Sequence, residues 1–365
     1  MATDEEVRRA WLACERHAFG SPRSDAGLLR ALLERSDDAV DERYGKGELA
    51  ERLEQRVADL LGKEAAVWMP SGTMAQQIAL RIQCERRGCP AVAFHPHCHL
   101  DTHEERGYQA LHGLRAVLLG SRERLIRTAD VEQLSEPVAA LLLELPQRDL
   151  GGALPDWDEL AATCRAARDR GLALHLDGAR LWQCGPFYKR PLAEIAALFD
   201  TVYVSFYKDL GAPGGCALAG PAETIAEARV WQIRHGGRVF KSFPYLLAAE
   251  RGLDELLPRM PALVERARAS GEALATLEGV SIAPDPPQTA MFHAFVRRPL
   301  EQLRDAQVAL GREARTWPAS DFSATEDPAV QRCELTVTPA NLEVPVEEVA
   351  ALWRELIARA ASASA

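Results

Sequence analysis

The sequence predicts an α/β fold in which helices cover both faces of a mostly parallel β-sheet, followed by a smaller C-terminal α+β domain. Helical and strand patterns alternate through the first two thirds of the 365 residues, which is typical of parallel strands joined by crossover helices. The run VAALLLEL at 138–145 is continuously apolar, as expected of a strand buried on both faces. After about Pro244 long helical segments precede a few short strands.

The predicted elements follow from hydrophobic periodicity and from glycine and proline positions. The segment 47–62 has apolar residues at helical spacing and ends at Gly62, a typical C-cap. We divide the chain into an N-terminal arm (1–30), a large α/β domain (31–245) and a small α+β domain (246–365). Helices are predicted at 47–62, 74–86, 156–171, 245–257, 261–279 and 346–360, and strands at 65–69, 91–94, 138–145, 172–177, 200–207, 291–296 and 333–338.

The composition excludes several classes of function. The chain has 53 acidic and 43 basic residues and a net charge of -10, which argues against nucleic-acid binding. No apolar run approaches the roughly 20 residues of a membrane span, and the charged N-terminus lacks a signal-peptide core. The eight cysteines include no CxxC pair, which is typical of reduced thiols. We therefore expect a cytoplasmic enzyme with no membrane partner.

Three predicted strand ends carry residues suited to one site, since ligands of such sheets bind at the carboxyl ends of strands. In PSGTMA (70–75), Ser71, Gly72 and Thr73 open a helix and offer N–H groups and hydroxyls to a phosphate. Taken alone, this motif is as typical of an ordinary N-cap.

The other two strand ends supply charged groups. Asp177 and Arg180 follow the strand in LHLDGAR, and Lys208 follows the strand in VSFYKDLGAPGG. Alone, these are compatible with an Asp-Gly turn and a surface lysine. A pyridoxal phosphate enzyme needs a phosphate site, a carboxylate for the ring nitrogen and a nucleophilic lysine. PSGTMA, Asp177 and Lys208 together can supply these three parts.

Five motifs in the same order resemble the threonine aldolase and β-eliminating lyase family of fold-type I, pyridoxal phosphate-dependent enzymes. They are RSD (23–25), ERYGKGELAERLEQ (42–55), PSGTMA, DGARLW and FYKDLGAPGG, and the resemblance extends from about Arg23 to Arg238. It implies that Lys208 forms the Schiff base with the cofactor and that Asp177 binds the pyridinium nitrogen. It also implies that Ser71, Gly72 and Thr73 hold the phosphate.

The same resemblance implies the substrate contacts and the assembly. Arg180 would bind the carboxylate of an amino acid substrate, with a further contact from Ser24. In RHGGRVFK (234–241), Arg238 or Lys241 would supply the phosphate contact usually given by a neighbouring subunit. The expected assembly is a homodimer or homotetramer with cofactor sites at the subunit boundary.

The stretch FHPHCHLDTHEE (94–105) first suggests a metal site, because it holds four histidines and a cysteine. No distant ligand pair completes a recognisable set, so we predict no metal. In the family a histidine followed five residues later by glutamate stacks on the cofactor ring, which implies that role for His99, with Glu104 as the glutamate. His95, His97 and His103 receive no role.

The family resemblance implies cleavage of a β-hydroxy-α-amino acid, such as threonine or allo-threonine, to glycine and an aldehyde. Two departures concern the substrate pocket. Gln147 stands where the family has a histidine near the substrate, and CELTVTPANLEV (333–344) lacks the expected second arginine, since Arg332 would need a shifted register. Another pyridoxal phosphate reaction (β-elimination, racemisation or transamination) and a metal-dependent or non-enzymatic role for the histidines stay open as alternatives.

Overall fold

The computed structural model describes residues 2–22, 24–36 and 42–362, with only the backbone of residue 362. Arg23 of the RSD motif lies outside the described residues. Described residues of 29–149 and 154–258 form one compact unit, here called the large unit. Those of 1–28, 150–153 and 259–365 form a second, here called the small unit. The predicted boundaries at residues 30 and 245 stay a prediction.

The strands belong to three sheets. In chain order they are β1 (Arg16–His17), β2 (Ala65–Met69), β3 (Ala91–Phe94), β4 (Arg115–Leu118), β5 (Ala140–Glu144), β6 (Ala173–Gly178), β7 (Thr201–Ser205), β8 (Cys216–Gly220), β9 (Val280–Ala283), β10 (Met291–Val296), β11 (Thr316–Trp317), β12 (Phe322–Ala324) and β13 (Gln331–Thr336).

The helices include all six that the sequence predicts. They are α1 (Asp4–Ala13), α2 (Asp25–Arg35), α3 (Glu48–Leu61), α4 (Gly72–Arg87), α5 (His99–Thr102), α6 (Gly107–His112), α7 (Thr128–Glu132), α8 (Trp157–Asp169), α9 (Cys184–Tyr188), α10 (Leu192–Ala196), α11 (Ala222–Arg234), α12 (Phe243–Glu255), α13 (Met260–Ala275), α14 (Leu300–Ala314) and α15 (Val346–Ser362). Within the described ranges, none is long and apolar enough to cross a membrane.

The large unit is built on a sheet whose strand order, over the described residues, is β2-β8-β7-β6-β5-β3-β4. Strand β8 runs antiparallel to both of its neighbours, and the remaining pairs are parallel. The sequence analysis missed β4 and β8. Strand β8 reads CALAG, and alanine and glycine are poor strand formers, whereas β4 is a short edge strand with Leu118 exposed.

Helix α3 shows how the sequence directs packing in the large unit. Leu49, Leu53 and Val57 recur at helical spacing and are buried. The helix ends at Gly62, whose φ of 60° is the left-handed conformation that favours glycine. The buried carboxylate of Glu54 accepts a hydrogen bond from the Trp68 backbone N–H at 2.8 Å and fixes α3 to β2.

The central strands set the position of the site. Parallel pairing places Glu144, the last residue of β5, beside Asp177 near the end of β6. The next pairing places Asp177 beside Tyr203 of β7. Because strands of one direction end at one edge of a sheet, two carboxyl groups and a phenol meet at the carboxyl edge of the large sheet.

The small unit contains an antiparallel sheet of order β12-β13-β10-β9 and the parallel pair β1–β11. Strand β13 lies two residues earlier than the predicted 333–338, since Thr338 caps the following turn of 3-10 helix. In β13, Cys333 and Leu335 are fully buried, whereas Arg332 lies on the half-buried alternate face, opposite Phe295 of β10.

We predict that Leu53→Ala lowers the free energy of unfolding by about 2–5 kcal/mol, because it opens a cavity between α3 and the sheet. Leu53 has 1 % of its surface exposed. Glu51→Ala, on the exposed side of the same helix, should change it by less than about 0.5 kcal/mol. Urea unfolding followed by circular dichroism measures both variants, and equal losses would contradict this packing role.

Candidate active site

A cavity of about 330 Å³ opens at the carboxyl edge of the large sheet. It brings together six residues that the sequence analysis named in distant motifs, and five more. The lining residues are Thr73, Gln76, His99, Glu104, Glu144, Asp177, Ala179, Arg180, Tyr203, Tyr207 and Lys208.

The start of α4 has the features of an anion site. Ser71 is the N-cap in an extended conformation, and its hydroxyl makes no capping hydrogen bond. The first turn carries no acidic residue. A β-carbon at Gly72 would lie 2.1 Å from the Tyr203 hydroxyl oxygen, so only glycine fits there. The first N–H groups of a helix and its dipole favour a phosphate at this position.

Asp177 lies near the end of β6, Lys208 follows the neighbouring strand β7, and both line the cavity. Asp177 is buried, and its Oδ1 accepts the Ala179 N–H at 3.0 Å. Burial raises the pKa of Asp177, while the nearby Lys208 charge opposes that rise. Burial lowers the pKa of Lys208, and the Arg180 charge lowers it further. A lysine with a lowered pKa is more nucleophilic at neutral pH.

The lysine loop is closed by backbone hydrogen bonds at its base. The Phe206 N–H donates to the Gly215 carbonyl at 3.1 Å, and the Ala212 N–H donates to the Phe206 carbonyl at 3.0 Å. Gly215 has a φ of 89°, and a β-carbon there would lie 2.6 Å from Trp68 Nε1. The loop that joins β7 to the antiparallel strand β8 therefore holds Lys208 close to the carboxyl end of β7.

Glu144 is a half-buried residue whose carboxyl lines the cavity with those of Asp177 and Glu104, and the sequence analysis gave it no role. Its Oε2 accepts from Gln147 Nε2 at 2.8 Å, and its Oε1 accepts from the Arg148 backbone N–H at 3.0 Å. Burial, and then the adjacent Asp177, raise the pKa of Glu144 to about 8. Both causes favour the protonated form of Glu144.

The His99 ring is oriented by a carboxylate. Its Nδ1 lies 2.9 Å from Oε1 of Glu104, and the Glu104 side chain is almost fully buried. If Nδ1–H donates to this carboxylate, Nε2 is the nitrogen left to act as an acceptor. The spacing of five residues between His99 and Glu104, on which the sequence prediction relied, thus corresponds to a direct contact.

The other histidines of the run do not converge. His95 Nε2 lies 2.9 Å from the Arg124 carbonyl, and His95 Nδ1 accepts the His97 backbone N–H at 3.0 Å. Both ring nitrogens are thereby engaged, and burial lowers the pKa of His95. His97 and His103 instead approach Asp149, at 4.0 and 3.7 Å. Across the described parts of the chain, no three His, Cys, Asp or Glu side chains are arranged to hold a metal.

Of the predicted site residues, Ser71 and Gly72 precede Thr73 at the start of α4 without lining the cavity, and two more lie outside the lining. Ser24 is exposed and belongs to the small unit, where its hydroxyl accepts the Gly27 N–H at 3.0 Å and caps α2. Its substrate contact stays a prediction. Arg238 is half-buried and follows Gly237, where a β-carbon would lie 2.5 Å from the Met74 sulfur. The chain at Arg238 thus passes close to the first turn of α4.

Gln76 is a site residue that sequence reasoning missed. It lies one turn after Thr73 on α4, is buried and lines the cavity. Its Oε1 has no hydrogen-bond partner among the described residues, and a buried amide oxygen left in this way is costly. The available signal was its spacing, because positions i and i+3 share one face of a helix.

These residues fit pyridoxal phosphate. The start of α4 suits a phosphate, Asp177 can pair with a pyridinium nitrogen and Lys208 can bond the aldehyde carbon. Gln76 lines the same space, and after a half-turn its amide presents N–H, which can donate to a phosphate or phenolate oxygen of the cofactor. His99 and Glu104 line the same cavity.

A family profile and a curated protein sequence both match this chain. The profile of the family described as beta-eliminating lyase matches residues 31–297. Low-specificity L-threonine aldolase 1 of Arabidopsis thaliana is 27% identical over 254 residues, which are 66% of this chain and 70% of that protein.

Two solved structures cover nearly the whole chain. A putative L-allo-threonine aldolase from Listeria monocytogenes is 34% identical with a TM-score of 0.93, covering 97% of this chain and 99% of that one. A putative aromatic amino acid beta-eliminating lyase/threonine aldolase from Exiguobacterium is 35% identical with a TM-score of 0.92, over the same shares. The predicted fold class is confirmed.

We predict opposite effects of Gln76→Leu with and without cofactor. In cofactor-free protein, removal of a buried oxygen without a partner should raise the free energy of unfolding by about 1 kcal/mol. With pyridoxal phosphate, loss of one hydrogen bond should weaken cofactor binding roughly 2- to 10-fold. Thermal unfolding and absorbance titration measure the two effects. A variant with wild-type affinity for the cofactor would contradict the contact.

Proposed function

Because the chain belongs to the beta-eliminating lyase family, over residues 31–297, we propose that it is a pyridoxal phosphate-dependent lyase acting on β-hydroxy-α-amino acids. The reaction is cleavage of the Cα–Cβ bond of threonine, allo-threonine or a close analogue to glycine and an aldehyde. Relatives named low-specificity L-threonine aldolase support this substrate class. The observation that carries the proposal is that Thr73, His99, Asp177 and Lys208 line one cavity.

The cofactor contacts follow from the site geometry. Ser71, Gly72 and Thr73 at the start of α4 bind the phosphate, and Asp177 binds the ring nitrogen. Lys208 would hold pyridoxal phosphate until the substrate amine takes its place, and the cofactor would supply a sink for the electron pair that bond cleavage leaves on Cα. The raised pKa of Asp177 describes the carboxyl by itself, and a pyridinium N–H beside it would favour the carboxylate.

The substrate is oriented by charge and its hydroxyl proton is removed by an imidazole. Arg180 binds the substrate carboxylate, since a guanidinium makes paired hydrogen bonds with that group. His99, oriented by Glu104 at 2.9 Å, accepts the β-hydroxyl proton directly or through water. In place of the family's second histidine, Gln147 donates to Glu144. Because the Gln147 amide cannot accept a proton at neutral pH, His99 is the base in this proposal.

We further propose that the enzyme is a homodimer or homotetramer and that Arg238 contributes to the cofactor site of a neighbouring subunit. Tyr44 and Phe240 contact each other edge to face with ring centroids 5.2 Å apart, yet 51% and 53% of their surfaces are exposed. Leu29 and Leu33, one turn apart on α2, are also exposed. Exposed apolar side chains of this kind are typical of subunit contacts.

We predict that purified protein loaded with pyridoxal phosphate is yellow and releases aldehyde from threonine or allo-threonine. Lys208→Ala should not be trapped by borohydride and should lose activity by more than about a thousandfold. Lys189→Ala, at an exposed lysine, serves as the control and should behave like wild type. Aldehyde is followed by coupled reduction. Pyruvate or a keto acid in place of aldehyde would move the enzyme to another pyridoxal phosphate reaction.

We predict that Arg238→Ala and Lys208→Ala, each weakly active or inactive alone, recover activity when their subunits are mixed. If Arg238 serves the neighbouring site, a mixed dimer has one complete site, and statistical exchange gives about a quarter of wild-type activity. If Arg238 serves its own subunit, mixing restores nothing. Subunit exchange is checked by size-exclusion chromatography with one tagged variant.

A further inference from the structure

The cavity contains three carboxyl groups, Glu104, Glu144 and Asp177, and the proposed chemistry uses only Glu104 and Asp177. Glu144 and Asp177 are paired residues on adjacent parallel strands, and both line the cavity with Arg180 and Lys208. Asp177 has 2% of its surface exposed, whereas Glu144 is half-buried and its carboxyl accepts two hydrogen bonds, at 2.8 and 3.0 Å. Two carboxylates on paired residues that line one cavity repel, so their protons are lost in separate steps.

Burial and the adjacent Asp177 favour the neutral acid at Glu144, and the Arg148 N–H and the Arg180 charge oppose them. Charged and titratable groups near it come from every element around the cavity: Asp177 and Arg180 from β6 and its following turn, Arg148 and Asp149 from the segment after β5, Cys98 before α5, and Lys208 after β7. His99, Glu104, Tyr203 and Tyr207 line the same space. Asp177 is the carboxyl whose charge Lys208 and His99 stabilise most directly.

Gln147 suits both protonation states of Glu144. Its amide lies 2.8 Å from Oε2, and Oε1 receives the Arg148 N–H. After a half-turn the same amide presents oxygen instead of nitrogen. It can therefore donate to a carboxylate or accept the proton of the acid, whereas the Arg148 N–H suits the carbonyl oxygen of the acid.

We propose that Glu144 is a positioning residue that stays a neutral acid during turnover, so that Asp177 remains the carboxylate for the cofactor and Arg180 remains available to the substrate carboxylate. Its ionisation places a second negative charge beside Arg180, which then pairs with Glu144 in competition with the substrate. The role of Arg180 in this inference rests on the proposed function. The neutrality of Glu144 does not depend on the proposed function.

The direction of the pH effect follows from proton linkage. The pKa of Glu144 rises from its ordinary value of 4.5 to about 8 on folding. A raised carboxyl pKa means that the folded state binds the proton more tightly than the unfolded chain. The contribution to stability is therefore full below about pH 4.5, declines as the pH rises and is lost above about pH 8.

The first experiment compares the melting temperatures of full-length wild type and Glu144→Gln between pH 5 and 9, with and without pyridoxal phosphate. Glutamine keeps the shape and neutrality of the acid but cannot ionise. We expect the variant to gain stability relative to wild type up to about pH 8 and to hold that gain above it. Glu132→Gln, at an exposed position, should give a constant difference. A constant difference for Glu144→Gln as well would overturn the inference.

The second experiment measures KM and kcat for threonine over the same pH range. The ratio of wild-type to Glu144→Gln KM should rise by up to about tenfold from pH 7 to 9, because only wild type develops the competing charge, while the kcat ratio changes little. A KM ratio independent of pH would overturn the role assigned to Arg180. Protein that gives the expected melting profile but no turnover would contradict the proposed function rather than the neutrality of Glu144.

Discussion

The exclusion of water from charged groups at one edge of the large sheet is the constraint on which the site depends. The parallel pairing of β5, β6 and β7 places Glu144, Asp177 and Lys208 at that edge. Because side chains alternate across a strand, a register slip of one residue would turn Asp177 away from Lys208. Burial then shifts the pKa values of all three groups toward their neutral forms. The same continuous apolar strands that stabilise the sheet thus create the chemical environment at its edge.

Much of this arrangement follows from the sequence, because the strands near the site are short apolar runs that end in a charged residue. The predicted strand at 172–177 ends at Asp177, and the observed strand is Ala173–Gly178. The prediction failed where the sequence has no apolar run that ends in a charged residue. Strand β8 consists of small residues, and its direction depends on the closed loop after β7, which periodicity does not encode. Gln76 was missed because a glutamine within a helix has no distinctive pattern, and its importance lies in an oxygen left without a partner.

The histidine run illustrates the difference between proximity in sequence and convergence in space. His95 and His97 lie at the turn after β3, and His99 begins α5, so the three histidines do not share one face of a strand. His95 uses both nitrogens for local hydrogen bonds, and His99 is held by Glu104. His97 and His103 contact Asp149. One stretch of twelve residues therefore contains a structural histidine, a candidate catalytic base and two imidazoles beside Asp149.

The close approach of Tyr203 to Gly72 has a consequence for how such a chain can change. The hydroxyl of a residue on β7 fills the volume that a β-carbon on α4 would need, so the two positions form a single packing unit across more than a hundred residues of sequence. Their substitutions are expected to be strongly non-additive. A larger residue at position 72 becomes tolerable only after the ring at position 203 has been reduced, and the order of mutations thereby limits which variants are accessible.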